Sequence, residues 1–304
     1  MTESLLRRSQ FTLAPVQRRD LEAAKAICLH DEVANVVPLM HVEAAAATGS
    51  VPHGLWAVRR RGRHNPGLAG VLWCGANLTA VIAETEDRDD VLAQVAQSLV
   101  SRITRPAAMV GAADITLDLW GRVEPWWGPA RAIRPTQVSM AIDNDPGPSP
   151  VDAGRDIGLE PLRQATMADY SMLLPAAAHM FTGEVGYDPL RHGRAAYEDR
   201  LQHLVRLGRS FIQLGMVGGK RDIIFKAEVG IVGGRVAQVQ GVWVHPLLRG
   251  RGLSKVGMAA LVPRVRAELA PVVSLYVNDF NAAAVAAYRA VGFREVGTFA
   301  TVMF

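Results

Sequence analysis

In the second half of the chain, short apolar and β-branched runs are separated by glycine pairs. Ser210–Gly215, Ile223–Gly230 and Val236–Val244 are such runs, with Gly218-Gly219 and Gly233-Gly234 between them. The pattern predicts three successive strands joined by tight turns, because glycine supplies the positive φ that short hairpin turns need. Thr166, with Asp169 three residues on, predicts a capped helix through Phe181, and a second helix covers Arg194–Leu207. From Arg251 a further helix begins, which Pro263 is expected to kink or end. Val272–Val277 suits a buried strand, Asn281–Ala290 is an alanine-rich helix, and Phe293–Phe304 returns as one or two strands.

The first half shows a similar order at lower contrast. A helix is expected over Leu21–Ala34, then strands at Leu55–Arg60, Leu68–Trp73 and Leu78–Ala83. A helix over Val91–Ile103, a strand at Ala108–Gly111, a helix over Ile115–Val123 and a strand at Arg134–Ile142 complete it. Between the halves lies Asp143-Asn144-Asp145-Pro146-Gly147-Pro148-Ser149-Pro150, whose three prolines can continue neither a helix nor a sheet ladder. Two domains are therefore expected, residues 1–145 and 155–304, and their shared order suggests a duplication. The fold class is α/β in the α+β sense, each domain a mixed, mostly antiparallel twisted sheet flanked by helices.

At 304 residues, 49% hydrophobic and 20% charged, the chain has the composition of ordinary globular domains and the length for two. Its 33 Lys and Arg against 29 Asp and Glu leave a formal charge of +4, with Arg59-Arg60-Arg61 as the only dense basic run. That balance argues against nucleic acid as a partner, which calls for a basic stripe. Cys28 and Cys74 are too few for a disulfide framework or a zinc ligand set, so no metal is expected. The arginines near the amino terminus have no apolar core behind them, and no apolar run reaches the ~18 residues of a spanning helix. A cytoplasmic protein with no membrane partner is expected.

Candidate chemistry concentrates in Val242-Trp243-Val244-His245-Pro246-Leu247-Leu248-Arg249-Gly250-Arg251-Gly252-Leu253-Ser254, where a strand stops at a proline and a glycine-rich turn opens a helix. The N–H groups of a helix's first turn have no intrahelical acceptor and stand at the positive end of its dipole, so they stabilise phosphate. Arg249 and Arg251 add formal charge. The spacing is neither a Walker A loop nor Gly-x-Gly-x-x-Gly, and a diphosphate docked on backbone amides is the natural reading.

Arg249-Gly250-Arg251-Gly252-Leu253-Ser254 resembles the Arg/Gln-x-x-Gly-x-Gly/Ala loop of GCN5-related N-acetyltransferases (GNATs), with Ser254 where that family has Gly or Ala. Asn278-Asp279-Phe280-Asn281, Ala287-Tyr288 and Gly292-Phe293 resemble the family's second acetyl-CoA segment. Phe225-Lys226-Ala227-Glu228, Gln238-Val239-Gln240-Gly241-Val242-Trp243-Val244 and Ser274-Leu275-Tyr276-Val277-Asn278 are similar to an actinobacterial two-domain group in which a DUF4081 domain precedes the acetyltransferase domain. Gly75-Ala76-Asn77-Leu78 and Trp127-Gly128-Pro129-Ala130-Arg131 are similar to that leading domain. The resemblance implies tandem GNAT-like domains, acetyl-CoA as cofactor, and an amine-bearing acceptor, small molecule or protein, as partner.

It further implies that the backbone N–H groups of Arg249, Gly250, Arg251, Gly252, Leu253 and Ser254 hold the pyrophosphate. Val242, Trp243 and Val244 would pair with the pantetheine arm and polarise the thioester carbonyl, and Gly241 either sits where a bulge would open that strand or is an ordinary sheet glycine. Asn281 would bond the cofactor's amide groups, or simply start a helix. Tyr288 is the candidate general acid for the leaving thiolate, against a tyrosine packed on the sheet. An alkylammonium must lose a proton before it attacks, and Glu228 is the candidate base, against an ion pair with Lys226 on the same strand face. Glu184 and His245 are weaker candidates.

With both cysteines in the first half, direct transfer is expected instead of a cysteine intermediate. Where the first half would carry its phosphate loop it has Glu84-Thr85-Glu86-Asp87-Arg88-Asp89-Asp90, which repels a diphosphate, so the cofactor is expected to bind once, in the second domain. Trp73, Trp120, Trp126 and Trp127 either wall the acceptor pocket or belong to the core. The expected activity is acetyl-CoA-dependent N-acetyl transfer. Its alternatives are a small-molecule acyltransferase of mycothiol-synthase type, a longer-chain acyl donor, and a coenzyme-A-binding sensor or scaffold with weak turnover.

Overall fold

The computed structural model describes residues 10–62, 67–147 and 154–304, so Pro148 and Pro150 of the expected linker and the segment 1–9 lie outside the described residues. Two compact units divide the chain: Met1–Ser139 with Val296–Phe304, and Met140–Glu295. The elements of the first half are β1 (Phe11–Pro15), α1 (Leu21–Leu29), α2 (Val36–Thr48), β2 (Leu55–Arg60), β3 (Leu68–Cys74), β4 (Asn77–Ile82), α3 (Arg88–Arg102), β5 (Ala108–Ala112), α4 (Ala113–Trp127) and β6 (Ala132–Ile142). Those of the second are β7 (Arg163–Gln164), α5 (Tyr170–Val185), α6 (Arg194–Arg206), β8 (Ser210–Val217), β9 (Lys220–Gly233), β10 (Val236–Val244), α7 (Leu253–Glu268), β11 (Val272–Asn278), α8 (Ala282–Val291) and β12 (Arg294–Met303). Apart from 3-10 turns, the order β-α-α-β-β-β-α-β-α-β is the same in both halves.

Each half also opens with the same local device. A 3-10 turn, Arg18–Asp20 or Met167–Asp169, carries a capping box, Gln17 with Asp20 and Thr166 with Asp169, and leads directly into α1 or α5. Each aspartate is gripped by an arginine, Asp20 by Arg59 and Asp169 by Arg163 at 2.7 Å. The Arg163 guanidinium holds the Asp169 carboxyl well below the usual carboxylate range.

In the first unit the strands lie in the order β1-β2-β3-β4-β5-β12-β6. Pairing is antiparallel from β1 to β4 and between β5 and β12, and parallel between β4 and β5. Alternate residues enter opposite layers: Ala57 and Val71 pack with Leu39 and Val42 of α2, whereas Val58 and Leu72 pack with Val95 and Leu99 of α3 and Leu119 of α4. A sheet covered on both faces accounts for strands that carry apolar residues at consecutive positions.

The second unit has the order β11-β10-β9-β8-β7, antiparallel except for the parallel pair β10 and β11. Leu173 of α5 and Leu201 of α6 pack with Ile212, Leu214, Ile223 and Trp243 on one face. On the other, Gly257 of α7 lies so close to Phe225 that an added Cβ would stand 2.5 Å from the ring. Phe225 therefore faces α7, and the strand period turns Lys226 and Glu228 to the α5 and α6 side.

Two sequence expectations differ from the structure. The helix expected over Leu21–Ala34 ends at Leu29, and α2 follows it; Pro38 stands in the first turn of α2, where its missing N–H costs nothing. Helix α7 continues through Pro263 to Glu268, its last turns held by the buried Leu261, Val262 and Val265. The final segment is one strand, within the one or two expected, and Val296–Phe304 cluster with the residues of the first unit. Phe299–Met303 pair antiparallel with Ala112–Ala108 of β5, which ties the end of the chain to the first half. Among the described residues no helix is long and apolar enough to cross a membrane, and no His, Cys, Asp and Glu group could hold a metal ion.

Candidate active site

The site begins where two parallel strands part. β10 and β11 pair at Val236, Ala237 and Gln238 with Val272, Val273 and Ser274, and no further pairing between them occurs among the described residues. On its other edge β10 stays hydrogen-bonded to β9 but changes register: Gln240 lies opposite Glu228 and Trp243 opposite Lys226. Gly241 and Val242 thus face Ala227 alone, the signature of a bulge, which bends a strand and re-aims its groups. Of the two readings of Gly241, the bulge is the one present, and its φ of +61° is one that L side chains rarely adopt. The backbone of Val242–Val244 is left without a strand partner on the side of β11.

The side chain of Trp243 anchors this bend. It is 7% exposed, packs in the α5 layer, and donates its Nε1–H to His179 Nδ1 at 3.1 Å. After Val244 comes a 3-10 turn, Pro246–Leu248, capped by His245, whose Nδ1 accepts the Leu247 N–H at 3.3 Å. The chain then reaches Gly250 and Gly252, with φ of +78° and +76°, and α7 starts at Leu253 with Gly252 as its cap. Open space lies within 4 Å of the Cβ position of both glycines.

The Arg249 N–H bonds Pro246 C=O at 3.4 Å, but those of Gly250 through Ser254 meet no acceptor among the described residues. Their free donors stand at the positive end of α7. Arg249 Nε–H donates to Val244 C=O at 3.3 Å, tying the loop to the end of β10, and Arg251 forms an ion pair with Asp156. Ile157, Leu159, Leu248 and Leu253 pack beneath the loop and hold its backbone.

Beneath the bulge lies a buried charge cluster. Lys226 is 0% and Glu228 2% exposed, and Lys226 Nζ lies 2.5 Å from Glu228 Oε1. The ion pair weighed as the structural alternative for Glu228 is thus formed. Arg200 of α6, unremarkable in the sequence, brings Nη1 to 3.5 Å from Glu228 Oε2, and burial pushes the Tyr197 phenol up, reinforced by the Glu228 charge. A Cβ on Gly241 would meet Met180 Cε at 3.0 Å, Lys226 Nζ at 3.2 Å and Glu228 Cδ at 3.4 Å. Gly241→Ala is therefore expected to cost about 1–3 kcal/mol of stability, from the left-handed backbone and the crowding together. An unchanged urea midpoint would contradict this account of the bulge.

The remaining candidates sit on α8 and α5. Tyr288 is 7% exposed, its ring tilted against Phe293 at 5.9 Å; burial pushes its phenol above the ordinary value, and the Glu184 charge adds to the shift. Asn281 caps α8, its Oδ1 accepting the Ala284 N–H at 3.2 Å, so the helix-start role is filled and its amide N–H groups remain. Sequence reasoning passed over Arg200, Tyr197, His179 and Met180. Helical spacing places Tyr197 and Arg200 on one face of α6, but only the fold turns that face to Glu228.

The first unit lacks these features. β3 and β4 keep an unbroken register from Gly70–Ile82 to Cys74–Leu78, so no bulge forms on β4. In the acidic segment after β4, Asp87 pairs with Arg60 and Asp89 with Arg122. Burial pushes the thiols of Cys28 and Cys74 up to about 12, which keeps both protonated and poorly nucleophilic.

Residues 191–293 match the family described as Acetyltransferase (GNAT) family, and residues 53–166 match DUF4081, a domain of unknown function. Among solved structures, a Drosophila protein aligns over 96% of this chain and 98% of its own, at 12% identity and a TM-score of 0.60. An acetyltransferase of the GNAT family from Colwellia psychrerythraea covers 96% and 99%, at 13% identity and a TM-score of 0.54. A tandem GNAT protein from the clavulanic acid biosynthesis pathway covers 96% and 98%, at 15% identity and a TM-score of 0.53. At such identities the likeness is one of fold. No curated protein sequence matches the chain.

Proposed function

We propose that this chain, whose residues 191–293 match the GNAT acetyltransferase family and whose residues 53–166 match DUF4081, transfers an acetyl group directly from acetyl-CoA to a primary amine. One observation carries the reading: the Gly241 bulge where β10 parts from β11, followed by a glycine loop whose N–H groups lack acceptors. The residues present fit the cofactor. The N–H groups of Gly250, Arg251, Gly252, Leu253 and Ser254 would hold its diphosphate, Val242–Val244 would pair with its amide-bearing arm, and Asn281 would donate to that arm. Bound there, acetyl-CoA supplies a thioester, an acyl group activated toward a neutral amine.

The chain's own residues manage the protons. Glu228 takes one proton from the acceptor ammonium, directly or through water, which frees the lone pair that forms the C–N bond. Tyr288 would hold its O–H in a hydrogen bond to the sulfur as the C–S bond breaks; the second proton of the former ammonium would leave nitrogen at that step and, by way of solvent, protonate the sulfur, and Glu228 would return its proton to solvent. Because the first unit carries neither the bulge nor a phosphate loop, the cofactor binds once, in the second.

Two measurements on the full chain test this. Isothermal calorimetry is expected to show one acetyl-CoA site per chain, and thiol release is expected with at least one member of a panel of primary amines. Absence of binding heat would overturn the reading. Binding without thiol release on any amine would favour the sensor alternative, which the engagement of both Glu228 oxygens by cations supports.

A further inference from the structure

We propose that Lys226 is a positioning residue for this transfer: its buried ammonium keeps the Glu228 carboxylate ionised and fixed beneath the Gly241 bulge, ready to take the acceptor's proton. The inference rests on Glu228 being the proton acceptor.

A lysine with no exposed surface is rare, and its long side chain loses hydration and rotamer freedom that a surface lysine keeps. Stability does not account for it, because apolar residues of similar volume commonly replace buried ion pairs without loss. Placement does account for it. At Gly241 no side chain separates this pair from the bend of β10, and a Cβ built there would meet Met180 Cε, Lys226 Nζ and Glu228 Cδ at 3.0–3.4 Å.

The surroundings leave the task of charging Glu228 to Lys226. The Glu228 carboxylate stands on β9 at 2% exposure, so its charge is balanced by neighbouring groups instead of by bulk water. From α6 it is faced by Arg200, at 3.5 Å and itself nearly half exposed, and by the neutral phenol of Tyr197. From β8 the residue in register is Ser210, whose buried hydroxyl has no hydrogen-bond partner among the described residues, and from β10 it is Gln240; α5 contributes the thioether of Met180 beside the pair. Lys226 is thus the one fully buried cation on Glu228 among the described residues. After Glu228 has accepted a proton, the ammonium beside a neutral acid also favours release of that proton to solvent, which restores the carboxylate for the next turnover.

The test uses the full chain, acetyl-CoA and an amine that the wild type acetylates, with kcat/KM followed from about pH 5.5 to 9.5. In Lys226→Met the rising acid limb is expected to move up by about one pH unit or more. At pH 6.5 that variant then loses about tenfold more activity, relative to wild type, than at pH 9. Lys226→Arg keeps the charge and is expected to stay near the wild-type limb. Calorimetry with acetyl-CoA, expected within about twofold of wild type, reports an intact fold. An acid limb of Lys226→Met that coincides with wild type overturns the proposal. Should that variant not fold, Lys226→Gln takes the same test, and failure of both to fold assigns Lys226 to stability and overturns the proposal as well. Glu228→Gln separates the premise: full activity in that variant removes Glu228 as proton acceptor, whatever Lys226 does.

Discussion

Gly252→Asp is expected to raise the acetyl-CoA dissociation constant about 100-fold while leaving the protein folded. Aspartate suits the position structurally. Gly252 caps α7, a place where aspartate is among the preferred residues, and its φ of +76° lies in the left-handed region that Asp and Asn tolerate best among residues with side chains. Space around its Cβ is open, so nothing has to move. The new carboxylate would, however, stand among the donors of Gly250–Ser254, where it takes up their N–H groups and repels a diphosphate. Two unit charges about 4 Å apart interact by about 4 kcal/mol at an effective dielectric near 20, and partial exposure brings this toward the ~3 kcal/mol that corresponds to 100-fold. Gly252→Asn has the same shape without the charge and is expected to weaken binding less than about tenfold. Calorimetry on the two variants measures the difference, and equal affinities would show that the diphosphate does not dock on this loop.

That loop was legible in the sequence because its requirements are local. Positive φ at Gly250 and Gly252, and a helix opening directly after them, are properties of neighbouring residues. Gly241 was half legible: a glycine inside an apolar strand marks either a backbone bend or an ordinary sheet position, and the bend is there. Elements hidden by conflicting local signals were not. Helix α2 begins Val36-Val37-Pro38, residues that argue against a helix unless the proline stands in the first turn, as it does. The strand β1 is five residues long, and its identity comes from pairing with β2 about fifty positions away. The charge cluster was half visible. Lys226 and Glu228 share a strand face by the period of two, whereas Arg200 and Tyr197 reach Glu228 only because α6 packs over β9. The placement of Val296–Phe304 with the first unit likewise follows from pairing with β5, nearly two hundred positions away.

Tyr288→Phe is expected to lower kcat about 100-fold, the lower end of what a positioned proton donor contributes, with acetyl-CoA affinity unchanged within about twofold. The hydroxyl is the only atom removed, and the ring keeps its packing against Phe293. The direction of its shift decides how the residue works. Burial, helped by the Glu184 charge, pushes the phenol above its ordinary value of 10.0, so it stays protonated through the working range. A thiol ordinarily titrates near 8.5, so complete transfer of the proton from so weak an acid to a thiolate runs uphill. In the proposed reaction Tyr288 is therefore expected to act mainly by donating a strong hydrogen bond while charge grows on sulfur. The sign of the pH dependence follows. A donor must be protonated to work, and a raised value postpones its loss to higher pH, so kcat is expected to show no falling limb from Tyr288 below about pH 10. Amines with electron-withdrawing substituents should show the same flat profile, since their own deprotonation affects only the rising side. A falling limb between pH 8 and 9 that disappears in Tyr288→Phe would mean that the phenol is acidified in the working enzyme, and would assign the shift on Tyr288 the opposite sign.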